Sequence, residues 1–262
     1  MNAAGPTQTE SQSTGARPAG AYGEREAAAQ VREMFDGIAP RYDFLNHFLS
    51  FQLDRLWRRR VVRRFRPVLE RPGACVLDLC CGTGDLAFAL SVRAQASVFG
   101  ADFSHPMLVR ALQKSSRLAG ANGSHAPRAF LQADALSMPF AAGSFDLITV
   151  SFGFRNLANY DRGLREMFRV LRPGGQIGIL EFAEPSGAFF RRLYRFYFHR
   201  VLPRVGNTIS GSRTAYGYLP VSVGQFPSPT ELKGRIINAG FVEVNSELWT
   251  AGTLALHRAT KP

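Results

Sequence analysis

The feature that most constrains this chain is the segment 76–87, in which an apolar, β-compatible run leads through two glycines into a helix-compatible stretch. Gly82 and Gly84 allow positive φ angles and let the backbone approach a ligand closely. The helix that follows offers unpaired N–H groups at its N-terminus. Asp102 ends the next apolar run, about twenty residues further on, where a carboxylate commonly holds ribose hydroxyls. The spacing therefore predicts a ligand that contains a nucleoside.

Apolar runs and helical segments alternate through the middle of the chain, and most of the runs are bounded by Gly, Pro or Asp. Strands are predicted at 75–79, 97–101, 129–132, 145–150 and 177–182, with helices at 86–92, 106–118 and 161–171 between them. Near-continuous apolar strands that alternate with helices are typical of a parallel sheet covered on both faces. Right-handed crossovers make such a sheet doubly wound and Rossmann-like. A helix near 230–239 and two final strands at 241–248 and 253–257 are predicted to follow.

The chain is predicted to form one α/β domain over residues 26–262, preceded by a disordered tail at 1–25. The tail is rich in Gly, Ala, Ser and Pro and lacks the apolar core of a secretory signal. Residues 26–72 are expected to be helical, since Trp57, Val61, Phe65 and Leu69 recur on one helical stripe. A helical insertion is expected at 186–225. No apolar run approaches the ~18–20 residues that span a bilayer.

Two cofactors fit the glycine turn. The segment 82–87 matches the loose dinucleotide pattern, so NAD stays open on that motif alone. S-adenosylmethionine is favoured because Asp78 and Asp85 flank the glycines, where they suit a cationic sulfonium and an ammonium group and would repel a pyrophosphate. After the third strand, Asp134 can accept a hydrogen bond from an adenine amino group. After the fourth, Ser151 leads into a polar and aromatic loop at the carboxyl edge of the sheet, where ligands bind.

Several longer motifs resemble one family closely. They are VREMFDGIAPRYDFLN at 31–46, LDLCCGTGDL at 77–86, SFGFRN at 151–156, RVLRPGG at 169–175, YGYLPVS at 216–222 and TAGTLALH at 250–257. The sequence is similar to the ubiquinone/menaquinone biosynthesis C-methyltransferases, which are class I S-adenosylmethionine enzymes, over roughly residues 31–257. The resemblance implies a Rossmann-like class I methyltransferase fold with a mostly parallel sheet, a C-terminal antiparallel strand and N-terminal helices. The segments at 31–46 and 151–156 are the most specific.

Residue by residue, the resemblance implies cofactor contacts beside the two glycines, at Thr83, Asp102, Asp134, Ala135 and Ser151. The sequence departs from the family pattern at two places. Cys80 and Cys81 stand where small Ala or Gly residues are common, and Asp134 stands where Asn is common. Because either side chain can accept from the adenine amino group through an oxygen, the role of position 134 is expected to survive.

The resemblance also implies an activity, the C-methylation of a prenylated quinol. Demethylmenaquinol is the favoured substrate, and a ubiquinone-pathway methoxybenzoquinol and a phylloquinone precursor stay open. Tyr42 and Asp43 are expected to fold over the site as part of a lid. Arg155 is expected to stabilise the developing quinolate, and Asn156 to orient a ring oxygen. His199 is an alternative base, although a surface position is the favoured interpretation of it.

The chain carries 32 basic and 20 acidic residues, a formal charge of +12, and eight arginines fall within residues 55–71. A second cluster at 189–200 interleaves aromatic residues with arginine. This composition suits a helix at an anionic lipid surface, and it suits equally one that lines a substrate channel. An RNA methyltransferase is the more distant alternative, but no nucleic-acid partner is expected because the motif at 31–46 points to quinones.

The location predicted from these features is cytoplasmic, with peripheral contact at the inner face of the cytoplasmic membrane, and a homodimer stays open. No metal site is predicted. Cys75, Cys80 and Cys81 fall close together, but no second cysteine pair or histidine cluster follows them at zinc spacing.

Overall fold

The computed structural model describes residues 14–18, 20–92, 94–122, 126–185, 187–197, 200 and 213–262. The helices described are α1 (Glu24–Ile38), α2 (Tyr42–Leu49), α3 (Leu53–Arg64), α4 (Arg66–Leu69), α5 (Asp85–Ser91), α6 (His105–Asn122), α7 (Tyr160–Val170), α8 (Ala188–Phe196), α9 (Arg213–Gln225) and α10 (Pro229–Asn238). The strands are β1 (Cys75–Leu79), β2 (Ser97–Asp102), β3 (Ala129–Gln132), β4 (Phe145–Ser151), β5 (Leu171–Phe182), β6 (Val242–Trp249) and β7 (Leu254–Thr260). Short 3-10 helices occupy Ala39–Arg41, Phe154–Asn156 and Thr250–Gly252.

The seven strands form one sheet in the order β3-β2-β1-β4-β5-β7-β6. Strands β1 to β5 pair in parallel, and β7 runs antiparallel to both of its neighbours. The predicted Rossmann-like architecture with one antiparallel C-terminal strand is confirmed. Because the strand order reverses between β1 and β4, a crevice opens beyond the carboxyl ends of these two strands, and ligands bind at such points.

Both faces of the sheet are covered, which explains why its strands are almost continuously apolar. Alternate side chains of β1 point to opposite faces, as the two-residue period of a strand requires. Leu77 packs into a cluster with Met167 of α7, and Val76 packs into a second cluster with Trp57 of α3 and Leu90 of α5. The helical stripe predicted from Trp57 onwards is therefore a buried face of the N-terminal helices.

The described part of the N-terminal tail packs onto the domain. Ala16 is 4% exposed, and its N–H donates to the carbonyl of Leu157 over 2.7 Å. Helix α1 begins at Glu24, so the predicted boundary between tail and domain falls inside a helix. The structure thus places residues 14–18 and 20–25 in contact with the domain or in α1, where a disordered tail was predicted, and residues 1–13 and 19 lie outside the described residues.

Two other elements differ from prediction or are incomplete. β5 begins at Leu171 rather than at 177. The glycines at 174 and 175 lie inside the strand, and the pairing with β4 shifts in register beside them. Helices α8 and α9 lie in the predicted insertion at 186–225, of which residues 186, 198–199 and 201–212 lie outside the described residues. None of the described helices combines the length and apolarity that crossing a bilayer requires.

Candidate active site

The glycine turn after β1 is tied to the end of β2. The N–H of Gly82 donates to Oδ2 of Asp102 over 2.8 Å, and the N–H of Ser104 donates to Oδ1 over 2.9 Å. Gly82 and Gly84 both have positive φ angles, 56° and 85°. A Cβ on Gly84 would lie 2.9 Å from the Phe130 ring, so this position requires glycine on both grounds. The predicted turn and its acidic partner are thus brought together as the spacing indicated.

Asp102 is 6% exposed, and burial raises the pKa of its carboxyl to about 6, although the hydrogen bonds from the Ser104 and Gly82 backbone oppose the shift. Each oxygen of an ionised carboxylate accepts two hydrogen bonds, and each here has one backbone donor. Both oxygens keep acceptor capacity for a ligand, and this pair of acceptors fits the two adjacent hydroxyls of a ribose.

Two cavities lie at this end of the sheet, and the smaller one, of about 60 Å³, lies beside the glycine turn. Its walls include the predicted cofactor residues Gly82, Asp102, Asp134, Ala135 and Ser151. Cofactor cavities reach several hundred Å³, so the walls must separate when a nucleoside enters. The structure brings the five residues together from the ends of four neighbouring strands.

The apolar residues that line the smaller cavity were not predicted from the sequence. Phe103, Met107 and Leu136 line it beside Asp134 and offer apolar surface for a planar base. Their only local signal is position, since Phe103 directly follows Asp102 and Leu136 directly follows Ala135. Oδ1 of Asp134 accepts from the N–H of Leu136 over 2.8 Å. This hydrogen bond fixes the carboxylate and leaves it further acceptor positions.

Three of the predicted cofactor residues lie outside the walls of the smaller cavity. Asp78 is 1% exposed beneath the turn, where Thr149 donates to it over 2.8 Å and burial raises its pKa to about 7. Gly84 packs against an aromatic ring. The Thr83 hydroxyl donates to Asp43 of α2 and accepts from Lys114 over 3.0 Å. Asp78 and Gly84 therefore shape the turn, and Thr83 and Asp43 join it to the expected lid.

A larger cavity of about 520 Å³ adjoins the smaller one. Phe35, Tyr42 and Phe152 line both, so these three rings stand between the two cavities. The remaining walls are mostly apolar and aromatic and come from α1, α2, α3, α8, α9 and the turn between β6 and β7. They include Met34, Ile38, Phe51, Leu53, Trp57, Phe182, Phe190, Tyr194, Tyr197, Tyr218 and Leu219.

Arg155 contributes a buried charge to the wall of the larger cavity. Its Nη1 donates to both oxygens of Glu181, over 3.2 and 3.0 Å, and also to the carbonyl of Phe152. Burial alone lowers the pKa of Arg155, but the charge and hydrogen bonds of Glu181, together with Tyr42 and Tyr218, raise the pKa above the usual value. Its Nε is buried without a partner among the described residues. Arg155 is therefore a cation held in place through Nη1, and these hydrogen bonds leave its other nitrogens uncommitted among the described residues.

Asn156 and Tyr42 lie close to where the two cavities adjoin. Asn156 lines the smaller cavity, and its Oδ1 is buried without a hydrogen-bond partner among the described residues. Asn156 was expected to orient a ring oxygen; its side chain lines the smaller cavity, whereas Arg155 lines the larger one. Burial raises the pKa of Tyr42, so its hydroxyl stays protonated and acts as a donor. His199 lies outside the described residues.

Asp85 was expected to face the positive groups of the cofactor, but its carboxylate is already paired. Lys114 lies 2.8 Å from Oδ1, and Arg58 lies 3.3 Å from Oδ2. Arg58 also contacts Asp54 over 2.6 Å, and Asp54 in turn bonds to His47 over 2.6 Å. These five side chains form an ion-pair network that connects α2, α3, α5 and α6.

The sequence matches known proteins over most of its length. The sequence model of the ubiE/COQ5 methyltransferase family matches residues 23–261. A demethylmenaquinone methyltransferase from Thermus thermophilus is 50% identical over 230 residues, which cover 87% of this chain and 100% of that protein. A ubiquinone/menaquinone biosynthesis C-methyltransferase UbiE from Geotalea daltonii is 42% identical and covers 90% of this chain and 98% of that protein.

Solved structures show the fold at lower identity. The [4+2]-cyclase SpnF has a TM-score of 0.65 at 18% identity, covering 90% of this chain and 96% of that one. A SAM-dependent methyltransferase from Aquifex aeolicus has a TM-score of 0.54 at 18% identity, covering 78% of this chain and 89% of that one. At this identity the likeness concerns the backbone architecture alone.

Proposed function

Since the chain belongs to the ubiE/COQ5 methyltransferase family, it is an S-adenosylmethionine-dependent C-methyltransferase of quinone biosynthesis, and we propose that its substrate is demethylmenaquinol. The observation that carries the proposal is the larger cavity. Its mostly apolar, aromatic walls suit a fused-ring quinol with a prenyl chain, and three rings separate it from the smaller cavity. The names of relatives at 44% and 50% identity, both demethylmenaquinone methyltransferases, favour the same substrate.

The cofactor residues follow from the smaller cavity. Asp102 holds the ribose, Asp134 accepts from the adenine amino group, and the backbone at Gly82 and Ser151 bounds the site. When bound, S-adenosylmethionine supplies an electrophilic methyl group. The buried Oδ1 of Asn156 places a hydrogen-bond acceptor beside the smaller cavity, and this oxygen favours a positively charged group there.

On the quinol side, the residues stabilise negative charge. A quinol ring carbon beside a hydroxyl becomes nucleophilic when that hydroxyl, a phenol with a pKa near ~10, loses its proton. The Arg155 guanidinium, which lines the larger cavity, donates to the resulting oxygen, and Glu181 holds the guanidinium in place. Since Tyr42 keeps its proton, it assists as a donor and not as the base. The aromatic walls exclude water from the reacting atoms.

The test is methyl transfer by the purified chain. Demethylmenaquinol and the ubiquinone-pathway methoxybenzoquinol are offered separately, each kept reduced, and products are identified by mass spectrometry. We expect transfer to demethylmenaquinol with the higher kcat/KM, and none by the Asp102→Ala variant. Preferred transfer to methoxybenzoquinol would contradict the substrate. In cells, a strain that accumulates demethylmenaquinone should make menaquinone again when it expresses this chain.

We also propose that the enzyme meets its substrate at an anionic lipid surface. Phe44 and Phe48 of α2 stack 5.9 Å apart with 58% and 50% of their surface exposed, while Asp43 and His47 on the same helix are bonded to the protein. This helix turns its aromatic face outward. Phe51, at 73% exposure, continues the apolar face and also lines the larger cavity.

The charge beside this face supports the lipid proposal, because α3 and α4 carry most of the eight arginines in residues 55–71. Liposome flotation tests it, with anionic and neutral vesicles at low salt. We expect flotation with the anionic vesicles only and a marked loss for Phe48→Ser. The matched control is Leu112→Ser, which alters a residue of α6 that is 52% exposed. Equal flotation of both variants would refute the assigned face.

A further inference from the structure

Lys114 is one of three lysines in a chain that has 29 arginines. Its ammonium contacts oxygens of Asp43, Asp85 and Thr83, and these four side chains are called the Lys114 junction. Nζ lies 2.7 Å from Oδ2 of Asp43, 2.8 Å from Oδ1 of Asp85 and 3.0 Å from Oγ1 of Thr83. These three oxygens come from α2, from the start of α5 and from the glycine turn. The ammonium therefore connects α2, the expected lid, to the glycine turn and to the helix that follows it.

The chemistry of the junction explains why a lysine stands there. An ammonium offers three donors from a single atom, directed at the corners of a tetrahedron. A guanidinium is planar and spreads its donors along two edges, which suits one carboxylate better than three convergent oxygens. An ordinary surface ion pair makes one contact and contributes little to stability. Three partners on three elements indicate a positional role instead.

The junction sits directly beside the residues that separate the two cavities. Asp43 follows Tyr42, whose ring lines both cavities, and Thr83 follows Gly82 of the smaller cavity. A Cβ on Gly82 would lie 3.7 Å from Cε1 of Tyr42, so this ring lies over the turn. The Thr83 hydroxyl also donates to Asp43, which closes the contact. Fixing Asp43 therefore fixes the Tyr42 ring.

We propose that Lys114 is a positioning residue that fastens α2 to the glycine turn and so holds Tyr42 between cofactor and substrate. The smaller cavity is narrow for a nucleoside, and Tyr42 of α2 is one of its walls, so lifting α2 widens the path of the cofactor. The junction then closes again over the bound cofactor. This inference rests on the proposed function only for the identity of the ligand in the larger cavity.

The experiment compares the full-length Lys114→Met and Lys114→Arg variants with Lys233→Met, which removes an exposed lysine from α10 far from both cavities. We expect Lys114→Met to release S-adenosylmethionine at least about tenfold faster and to lower kcat with demethylmenaquinol at least about tenfold, since misplaced groups lose orientation. KM for the quinol should change little, because most walls of the larger cavity are untouched. Lys114→Arg should not restore either rate.

A cycle with Asp43→Asn tests the junction directly. If Lys114 acts through Asp43, the double variant is no slower than the slower of the two single variants, whereas independent roles make the losses multiply. The Lys114→Met variant with wild-type kcat and cofactor release would overturn the proposal, as would multiplying losses or full activity of Lys114→Arg. If the wild-type enzyme fails to methylate demethylmenaquinol, the proposed function is wrong, and cofactor release still decides the role of Lys114.

Discussion

The pair of Arg155 and Glu181 allows structural and chemical roles to be separated by mutation. Glu181 is fully buried and Arg155 is 7% exposed, and two hydrogen bonds from Nη1 of Arg155 join their side chains. Glu181→Gln removes the negative charge and leaves the guanidinium buried without its counter-charge. Breaking a buried pair in this way costs about 3–5 kcal/mol. In a chain of this size each kcal/mol lowers the melting temperature by about 2–4 °C, so we expect a fall of about 6–20 °C.

The double variant Arg155→Met with Glu181→Gln removes both charges. The new side-chain amide keeps an oxygen that can accept from the N–H of residue 155, as Glu181 does over 3.1 Å in the wild type. What is lost is the two hydrogen bonds between the side chains, one side-chain donor to the carbonyl of Phe152 and the contact with the Phe182 ring. We expect a cost of about 1–2 kcal/mol, so the double variant should be more stable than Glu181→Gln alone.

The two variants are assayed by thermal unfolding and by methyl transfer to the reduced substrate. If Arg155 stabilises the quinolate, the double variant folds well yet loses about 10²–10³-fold in kcat, as expected when one oxyanion donor is removed. A double variant with wild-type turnover would refute the catalytic role and leave a structural ion pair. A loss below about 1 kcal/mol for Glu181→Gln would refute the argument from burial.

Three further predictions concern single positions. Gly178→Ala should destabilise the protein by about 1–3 kcal/mol in urea unfolding, because its Cβ would lie 2.5 Å from the Phe65 ring, whereas Gly224→Ala meets open space and should be tolerated. Cofactor affinity, measured by calorimetry, should fall as the pH drops through about 6, where Asp102 gains its proton, and Asp102→Asn should bind weakly without this dependence. Burial raises the folded-state pKa of Asp78 to about 7, above its unfolded value, so stability falls as the pH rises from about 4 to 7; Asp78→Asn should flatten this slope in thermal melts.

The sheet and the glycine turn could be predicted because their signals are local. A short apolar run identifies β1 from its own five residues, and glycine marks the positive φ angles at 82 and 84. Asp102 follows from a spacing within one strand–helix–strand unit. The strand ends then place Asp134 and Ser151 at the same edge, since parallel strands share their carboxyl side.

The larger cavity and the junction at Lys114 could not be predicted, because they depend on contacts between distant segments. Trp57 donates to Thr250 over 2.9 Å across 193 positions of sequence, and this bond joins two walls of the cavity. Asp43 meets Thr83 and Lys114 only when α2 folds back over the sheet. The hydrophobic pattern of a sequence does not indicate contacts between such distant segments. For this reason Asp85 was predicted to face the cofactor, although it forms ion pairs with Lys114 and Arg58.

Backbone strain gives an independent reason to place function at the two cavities. Among the described residues, seven other than glycine have positive φ angles, and four of them, Phe51, Cys80, Phe152 and Thr250, line a cavity. Each such conformation costs roughly 1–2 kcal/mol, so it persists only where surrounding contacts hold it, as the bond from Trp57 holds Thr250. Strain of this kind concentrates where geometry matters more than stability. The cavity walls are therefore set by the backbone as well as by side chains.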